Sequence, residues 1–457
     1  MLVMKFGGSI LNKSNDFVEI GEYIRDFEVK KGLVIVISAM KGVTDSLLKL
    51  CNLAASGDES NASRLLMDLE DRHLRVCEEL DIACDDVRKE FEKLERIVRG
   101  VIYLGELTPR VRDLVASLGE NFSGRMLAAF LRKEGMNSRF MTGGEAGIIT
   151  DDLYSNANPL LKATRVYLRT RLMPMLEDTL PVVAGFSGMT RDGRVTTMGR
   201  GGSDLTAVLV GSSLNANEVW LWTDVDGFMT ADPRIVSEAK LLKRITYMEA
   251  IEMAHFGAKR MNPRFLEPAM AANTPVRVRN FRNRSCEGTL ISKEGGSKSI
   301  VKAIGMRKGV SIIMVRGAGM VGRPGSAYAI FKELSERSIN VQMISQSISE
   351  SDISLVLDSK VAESARGLVE AKLLGPIFKE VILERDCAAV AAIGSGMRGT
   401  PGVAARVFKA VANRGINVKM IAQGSSELSI SFVVSGEDGE EAVRSLHEEF
   451  ELNRIED

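Results

Sequence analysis

The sequence predicts an α/β protein, a largely parallel central sheet covered by helices, followed by two copies of a smaller α+β module. Three observations predict it. From residue 1 to about 292, short β-rich runs alternate with helical stretches, the pattern of parallel strands joined by crossover helices. A polar segment, Ser292-Lys-Glu-Gly-Gly-Ser-Lys-Ser299, then interrupts the chain; its composition marks a loop. Beyond it, Gly319 to Leu357 aligns without gaps to Gly396 to Val434 at an offset of 77 residues, as in Ile339-Asn-Val341 and Ile416-Asn-Val418. One supersecondary unit therefore occurs twice.

Taken in order, Leu2 to Phe6 is an apolar strand ending in the small-residue turn Gly7-Gly8-Ser9, and further strands are expected at Leu33 to Ile37, Ser138 to Met141, Leu180 to Ala184, Glu218 to Trp222 and Val276 to Arg279. Between Asp45 and Lys133 lies a charged, amphipathic helical region whose Leu65, Leu69, Val76, Leu80, Phe91, Leu94 and Val98 belong to the core. Residues 1–292 form the first domain and 293–298 a hinge. Each repeat reads strand, helix, strand, strand, helix. The first copy continues into a strand at Phe378 to Leu383, but the second ends with a helix from Glu440 to Phe450 and seven further residues. Its missing strand is expected from the spare segment Ser299 to Gly305. The first module, 306–385, is thus inserted inside the second, formed by 299–305 and 386–457.

Three segments concentrate polar residues at strand ends, where ligands collect in open α/β sheets. In Val195-Thr-Thr-Met-Gly-Arg-Gly-Gly-Ser-Asp-Leu205, glycines surround Arg200 and Asp204 just before an apolar helix, Leu205 to Leu214. Glycines let backbone N–H groups approach an anion, the helix aims its positive end there, and Arg200 can grip a carboxylate or phosphate with two hydrogen bonds. Gly7-Gly8 with Lys5 upstream suits a polyphosphate, although the spacing is not that of a Walker loop. The third segment is a buried strand ending in Thr223-Asp224, followed by a loop with Asp226, Asp232 and Arg234.

Composition narrows the function. Sixty basic residues balance sixty acidic ones, which argues against bulk electrostatic binding to nucleic acid or membrane and leaves small molecules or other subunits as partners. Cys51, Cys77, Cys84, Cys286 and Cys387 lack paired spacing and His73, His255 and His447 are scattered, so neither a disulfide framework nor a zinc site is expected. No basic and apolar leader opens the sequence and no apolar run approaches the ~20 residues that span a bilayer. The expectation is a cytoplasmic protein.

Six ordered motifs carry a resemblance. They are Lys-Phe-Gly-Gly-Ser at Lys5 to Ser9, Ser38-Ala-Met-Lys-Gly-Val-Thr-Asp45, Ser117-Leu-Gly-Glu120, Gly-Arg-Gly-Gly-Ser-Asp at Gly199 to Asp204, Trp-Thr-Asp at Trp222 to Asp224, and Phe256-Gly-Ala-Lys259. Over its whole length the chain resembles the aspartate kinases of the amino-acid kinase superfamily, and the repeats look like tandem ACT domains, βαββαβ sensors that pair edge to edge and bind amino acids. Two departures stand out: Asn262 precedes Pro263 where the family usually has histidine, and Met229 falls where it often has tyrosine near the adenine.

The resemblance implies ATP-dependent phosphorylation of the L-aspartate side-chain carboxylate, the first step toward lysine, threonine, methionine and isoleucine, with Mg²⁺ bridging the phosphates. Catalysis would rest on Lys5, Asp204 and Arg200. The nucleotide would lie against Lys5, Gly7, Gly8, Ser9, Thr223, Asp224, Met229, Arg234 and Lys259. Glu120 would hold the substrate ammonium and Arg200 its α-carboxylate, with Ser38, Thr44 and Ser203 as short hydroxyl donors. No protein metal ligand is assigned; Asp226 and Asp232 suit either Mg²⁺ or the capping of their loop. Lysine or threonine would act as feedback effector at Met320, Gly325, Asn340, Val341 and Ser345. Homodimers would form through the ACT modules, with tetramers a further option.

Gly317-Ala-Gly-Met-Val-Gly322 and Gly394-Ser-Gly-Met-Arg-Gly399 both satisfy GxGxxG, a dinucleotide fingerprint. No acidic residue ends the next strand in either copy, where Ser345-Gln346 and Ala422-Gln423 stand, and the unit is too short for a Rossmann half. Two readings remain, a tight turn or the cradle of an amino-acid effector. Two other functions compete with the main one: a kinase of another small acid such as glutamate or acetylglutamate, and a catalytically silent sensor, which would be expected to lack Lys5 or Asp204. With no dehydrogenase region after Asp457, a monofunctional kinase is expected.

Overall fold

The structure, a computed structural model, describes residues 1–26, 32–256, 263–296 and 299–455. The chain divides into two compact units, Met1–Gly227 with Met261–Glu294, and Phe228–Arg260 with Gly295–Asp457.

The first unit is built on a sheet whose strands run in the order Ser138–Met141, Leu180–Ala184, Leu33–Ile37, Leu2–Phe6, Glu218–Thr223, Val276–Asn280 and Thr289–Ser292. All neighbours are parallel except the last pair. Leu33–Ile37 is buried at every position and Leu2–Phe6 at four of five. Strands covered on both faces carry no polar alternation, which is why Leu33–Ile37 appears in the sequence as an unbroken apolar run and Leu2–Phe6 is broken only by Lys5. The helical region after Asp45 resolves into Val43–Ala55, Glu59–Glu79, Asp85–Leu104, Pro109–Ala116 and Leu118–Lys133. Leu69, Val76, Leu80, Phe91, Leu94 and Val98 are buried in one cluster, with Leu65 packed half-buried against it.

His73 is wholly buried in that cluster between Phe91 and Phe122, with Nδ1 bonded to the Leu69 carbonyl at 2.6 Å. Burial pushes its pKa down to about 4, against the hydrogen bond to Leu69. The imidazole is neutral in the fold, whereas an unfolded histidine titrates near 6.5. Stability from this group is therefore complete above about pH 6.5 and is lost as pH falls toward 4, by up to about 3 kcal/mol. Denaturant midpoints measured from pH 7 to 4.5 should fall steeply for the native chain and less steeply for His73→Leu; parallel slopes would assign the acid sensitivity to other groups.

In the second unit the repeats form one six-stranded antiparallel sheet, in the order Met343–Gln346, Asp352–Asp358, Ala303–Arg316, Glu380–Ile393, Ser429–Ser435 and Met420–Gln423. Here the strand boundaries differ from those expected. The spare strand at 299–305 is not separate: Ala303–Arg316 is a single 14-residue strand whose first part pairs with 388–393 and whose second part pairs with both 380–387 and Asp352–Asp358. The strand expected at Phe378 to Leu383 likewise runs on into Glu380–Ile393. Each long strand serves both copies and breaks register where the copies meet, at Gly309 (φ 72°) and Asp386 (φ 54°), positions equivalent in the repeat.

The GxGxxG glycines have a packing role. A Cβ on Gly317 or Gly394 would lie 2.0 or 2.4 Å from the carbonyl oxygen of Ile377 or Ile300, inside any tolerable contact. Gly322 and Gly399 then donate N–H to the carboxylates of Glu350 and Glu427 at 2.8 and 2.7 Å, closing the same turn in both copies.

Residues 228–256, expected within the domain 1–292, pack with the repeats. Ala231 enters the core of the second copy beside Val407 and Leu446, with Ile235, Val236 and Ala239 against it. Glu249 and Lys302, each 1% exposed, pair at 3.1 Å, and Glu249 also accepts N–H bonds from Thr246 and Ser395. Burial alone would raise the Glu249 carboxyl, but those bonds and the Lys302 ammonium outweigh it and hold the pKa below the usual range.

Candidate active site

The parallel register sets the carboxyl ends of the central strands side by side: Phe6 opposite Ile37 and Trp222, and Ile37 opposite Ala184. The residues that follow, Gly7, Ser38, Gly185 and Thr223, line one edge of the sheet. Their packing is close enough to explain the glycines. A side chain on Gly8 would put a carbon 2.8 Å from the Ala39 carbonyl oxygen, and one on Gly185 would put it 2.6 Å from Ser203 Cβ. Gly7 donates N–H to the Trp222 carbonyl at 3.2 Å, and its missing Cβ would stand 3.2 Å from Lys5 Nζ.

Lys5 projects from the central strand and meets Asp204 at 2.5 Å, both largely buried. Asp204 sits in the first turn of a helix that starts at Gly202, three residues before the expected Leu205, because Gly201 at φ 74° supplies its left-handed cap. Ser203 lies buried in the same turn and Arg200 is exposed on the preceding loop. A carboxylate in a first helical turn is stabilised by the helix dipole and keeps the lysine ammonium in one place.

Glu120 occupies the first turn of Leu118–Lys133 and is 3% exposed. Gly119 allows this, since a Cβ there would fall 2.8 Å from Ala39 Cβ. Burial pushes the Glu120 pKa up to about 8, opposed by N–H bonds from Ala39 and from its own backbone and by the charge of Lys5. Its Oε2 is buried without a partner. A buried carboxyl oxygen left unpaired is costly, and a cationic ligand group would satisfy it.

Ser38 is buried, its N–H bonded to the Phe6 carbonyl at 3.1 Å, while Thr44 is half-buried in the first turn of Val43–Ala55 behind Gly42 at φ 81°. Ser9 is half-buried, and Thr223 Oγ1 donates to Asp224 Oδ1 at 3.1 Å. Asp226 takes Asn280 and Asn283 amides at 2.7 and 3.2 Å, which is a loop-closing role.

Met229 and Arg234 belong to the second unit. Met229 bridges to Leu241, and Arg234 Nε bonds Asp232 Oδ1 at 2.9 Å, with Asp232 also accepting the Arg234 N–H at 3.0 Å. Lys259 and Asn262 lie outside the described residues, as do 297 and 298 of the expected hinge. Among the effector candidates, Asn340 is exposed, Val341 and Ser345 are half-buried and Gly325 has φ 91°. The Met320 side chain is 1% exposed inside the core of the first copy, so only its backbone can meet a ligand.

Asp113, one turn before Ser117, was not a sequence candidate, yet it is 1% exposed and accepts hydrogen bonds from Ser155 and Thr197, three residues before Arg200. Its sequence signal, one acid in a charged helical region, reads as a solvated helix face. Among the described residues no cluster of histidine, cysteine and acidic side chains could hold a metal ion, and no helix is long and apolar enough to cross a membrane.

A lysine fixed beside glycine-bound strand ends, facing a buried acid, on a largely parallel sheet that precedes paired α+β modules, defines an amino-acid kinase with a regulatory unit. Residues 1–280 match the amino acid kinase family, and 313–373 and 390–450 match an ACT domain. The chain is 35% identical to aspartokinase 1, chloroplastic, of Arabidopsis thaliana over 98% of its own length and 80% of that protein. It superimposes on E. coli aspartokinase III in complex with aspartate and ADP (R-state) with TM-score 0.82, at 28% identity over 98% of this chain and 99% of that one. The same enzyme in complex with lysine and aspartate (T-state) gives TM-score 0.81 at 29% identity, over 98% and 99% of the two chains. The chain belongs to the aspartokinase family, and its activity is the ATP-dependent phosphorylation of the aspartate side-chain carboxylate.

Proposed function

We propose that Lys5, paired to Asp204, carries the positive charge that lets two anionic reactants meet, with Glu120 receiving the substrate ammonium and Arg200 its α-carboxylate. The observation that carries this reading is the Lys5 and Asp204 pair at 2.5 Å in the same unit as a buried glutamate with an unsatisfied oxygen. Phosphorylating a carboxylate needs no general base, because an aspartate side chain with pKa near ~4 is already ionised. The barrier is mutual repulsion and alignment. A fixed ammonium and backbone N–H groups stabilise charge shared between the transferred phosphoryl group and its leaving group.

The glycine cradle fits a nucleotide: Gly7 and Gly8 offer backbone where a Cβ would strike a carbonyl, Ser9 adds a hydroxyl, and Thr223 with Asp224 follows at the neighbouring strand end. Mg²⁺ would be held chiefly by the phosphates, supplying charge neutralisation when bound. Ser38, Thr44 and Ser203 would orient the substrate. The E. coli relative binds aspartate and ADP in one crystal structure and lysine with aspartate in another; by analogy lysine or threonine acts on this chain through its ACT modules, in homodimers formed there. Five free cysteines suit a reducing compartment, in keeping with the cytoplasm.

A coupled assay of ADP release tests the reading. Turnover should require L-aspartate, be at least tenfold weaker with glutamate or N-acetylglutamate, and fall with lysine or threonine. Aspartate-independent release would reject the substrate assignment, and indifference to both amino acids would reject the effector.

A further inference from the structure

We propose that Asp113 is the positioning residue that holds the two ends of the aspartate clamp in place, and so supports aspartate binding. This rests on Glu120 and Arg200 being the clamp.

Asp113 lies in the helix Pro109–Ala116 and is 1% exposed. Its carboxylate accepts five hydrogen bonds, all from neutral groups. Both oxygens take the Ser155 N–H at 2.9 Å, and Oδ1 takes Ser155 Oγ at 3.1 Å. Oδ2 takes the Thr197 N–H at 2.7 Å and Oδ1 the Thr197 hydroxyl at 2.9 Å. A charge this deep costs several kcal/mol unless its hydrogen bonds are complete. A fold with no other use for the charge would gain from an apolar residue here.

What the carboxylate holds explains its position. Ser155 has φ 69°, a left-handed conformation that costs a non-glycine residue about 1–2 kcal/mol, and its N–H and hydroxyl both bind Asp113. The strained turn presents Ala157 N–H to the Thr197 carbonyl at 2.9 Å and Asn156 Oδ1 beside Gly199, 2.9 Å from where a Cβ would stand. Arg264 in turn bonds Asn156 and Asn158. Thr197, Asn156 and Gly199 are thus the anchors of the loop that carries Arg200. On its other side, the Asp113 carbonyl accepts the Ser117 N–H at 3.0 Å, directly before the helix that carries Glu120. One residue ties the segment bearing the anionic end of the clamp to the segment bearing the cationic end.

Asp113→Asn and Thr197→Val, measured in the full-length enzyme, test this. Asn keeps the volume but presents an NH₂ to N–H donors; Val removes only the hydroxyl bond. The expected result is a KM for aspartate raised about tenfold or more in Asp113→Asn and about threefold in Thr197→Val, with KM for ATP within about twofold of native. Unchanged aspartate KM in folded Thr197→Val and Asp113→Asn overturns the proposal, as does a rise in both KM values together, which marks general loosening. Should Asp113→Asn not fold, Thr197→Val decides alone. Arg200→Ala separates the premises: no change in its aspartate KM removes the clamp itself, whereas a rise there with none in the other two variants removes only the role of Asp113.

Discussion

Replacing Lys5 with alanine lowers kcat by about a thousandfold, while the melting temperature stays within a few degrees of native. The magnitude follows from removing one preorganised charge donor at a site of developing negative charge, worth about 3–4 kcal/mol in comparable sites. Lys5 is held by Asp204 at 2.5 Å, with side-chain exposures of 10% and 15%, so its charge needs no reorganisation when the reactants arrive. The variant carries a second defect, because Asp204 becomes an unpaired anion beside two incoming anions. Lys5→Ala with Asp204→Asn should therefore be faster than Lys5→Ala alone, a non-additive pair in a double-mutant cycle. Steady-state kcat at saturating aspartate and ATP gives the comparison. A double variant as slow as the sum of the single losses would separate the roles of the two residues.

The second large effect concerns Glu120. With its pKa pushed up to about 8 by burial, most of the free enzyme at neutral pH carries this carboxyl protonated. An ammonium seated against it favours the ionised form, so aspartate binding at pH 7 should release close to one proton, about 0.9 for a group titrating one unit higher. Affinity consequently rises with pH, by about tenfold per unit from pH 6 to 8, and levels above 8. Stability takes the opposite sign: a raised folded pKa contributes stability fully below about 4.3 that is lost as pH rises through 8. Calorimetry in two buffers of different ionisation enthalpy counts the proton. Glu120→Gln should abolish proton release, flatten the pH profile and raise KM for aspartate about 10- to 100-fold at pH 8, the scale of a hydrogen bond to a charged group. Proton release retained in Glu120→Gln would place the titrating group elsewhere.

Much of the kinase unit was legible because its strands are buried on both faces. Leu33–Ile37 and Leu180–Ala184 fall where runs of apolar residues predict them. The glycines at 7, 8, 199, 201 and 202 were legible as a class, since few other reasons collect glycine beside lysine, arginine and aspartate. The start of the helix at Gly202 was not, because Gly-Ser-Asp reads as loop until Gly201 is seen to be its left-handed cap. Asp113 was illegible for a stronger reason: its donors come from residues 42 and 84 positions away, and nothing local distinguishes a buried acid from a solvated one.

The repeats show the same division. Their offset and turns were plain, but the junction at Gly309 and Asp386 was not, because a strand that serves two modules has no punctuation between them. Residues 228–256 carry many apolar positions, but an apolar pattern does not say which core they join. Only the packing of Ala231, Ile235 and Val236 in the second copy assigns them. In the effector candidates, the burial of the Met320 side chain was not legible, because a methionine next to glycines in a turn gives no sign of which way it faces.

The central proposition is that a held positive charge and a two-ended clamp bring the aspartate β-carboxylate to the γ-phosphate. Hydroxylamine trapping of the product reads this directly, since an acyl phosphate yields a hydroxamate and ATP hydrolysis alone does not. The native enzyme with ATP and L-aspartate should form aspartyl hydroxamate in step with ADP. N-acetyl-aspartate, which keeps the β-carboxylate but has no ammonium for Glu120, should form at least about a hundredfold less, the worth of one charged hydrogen bond. Equal hydroxamate from the two acids would remove the clamp, and ADP without any hydroxamate would remove phosphoryl transfer to the carboxylate.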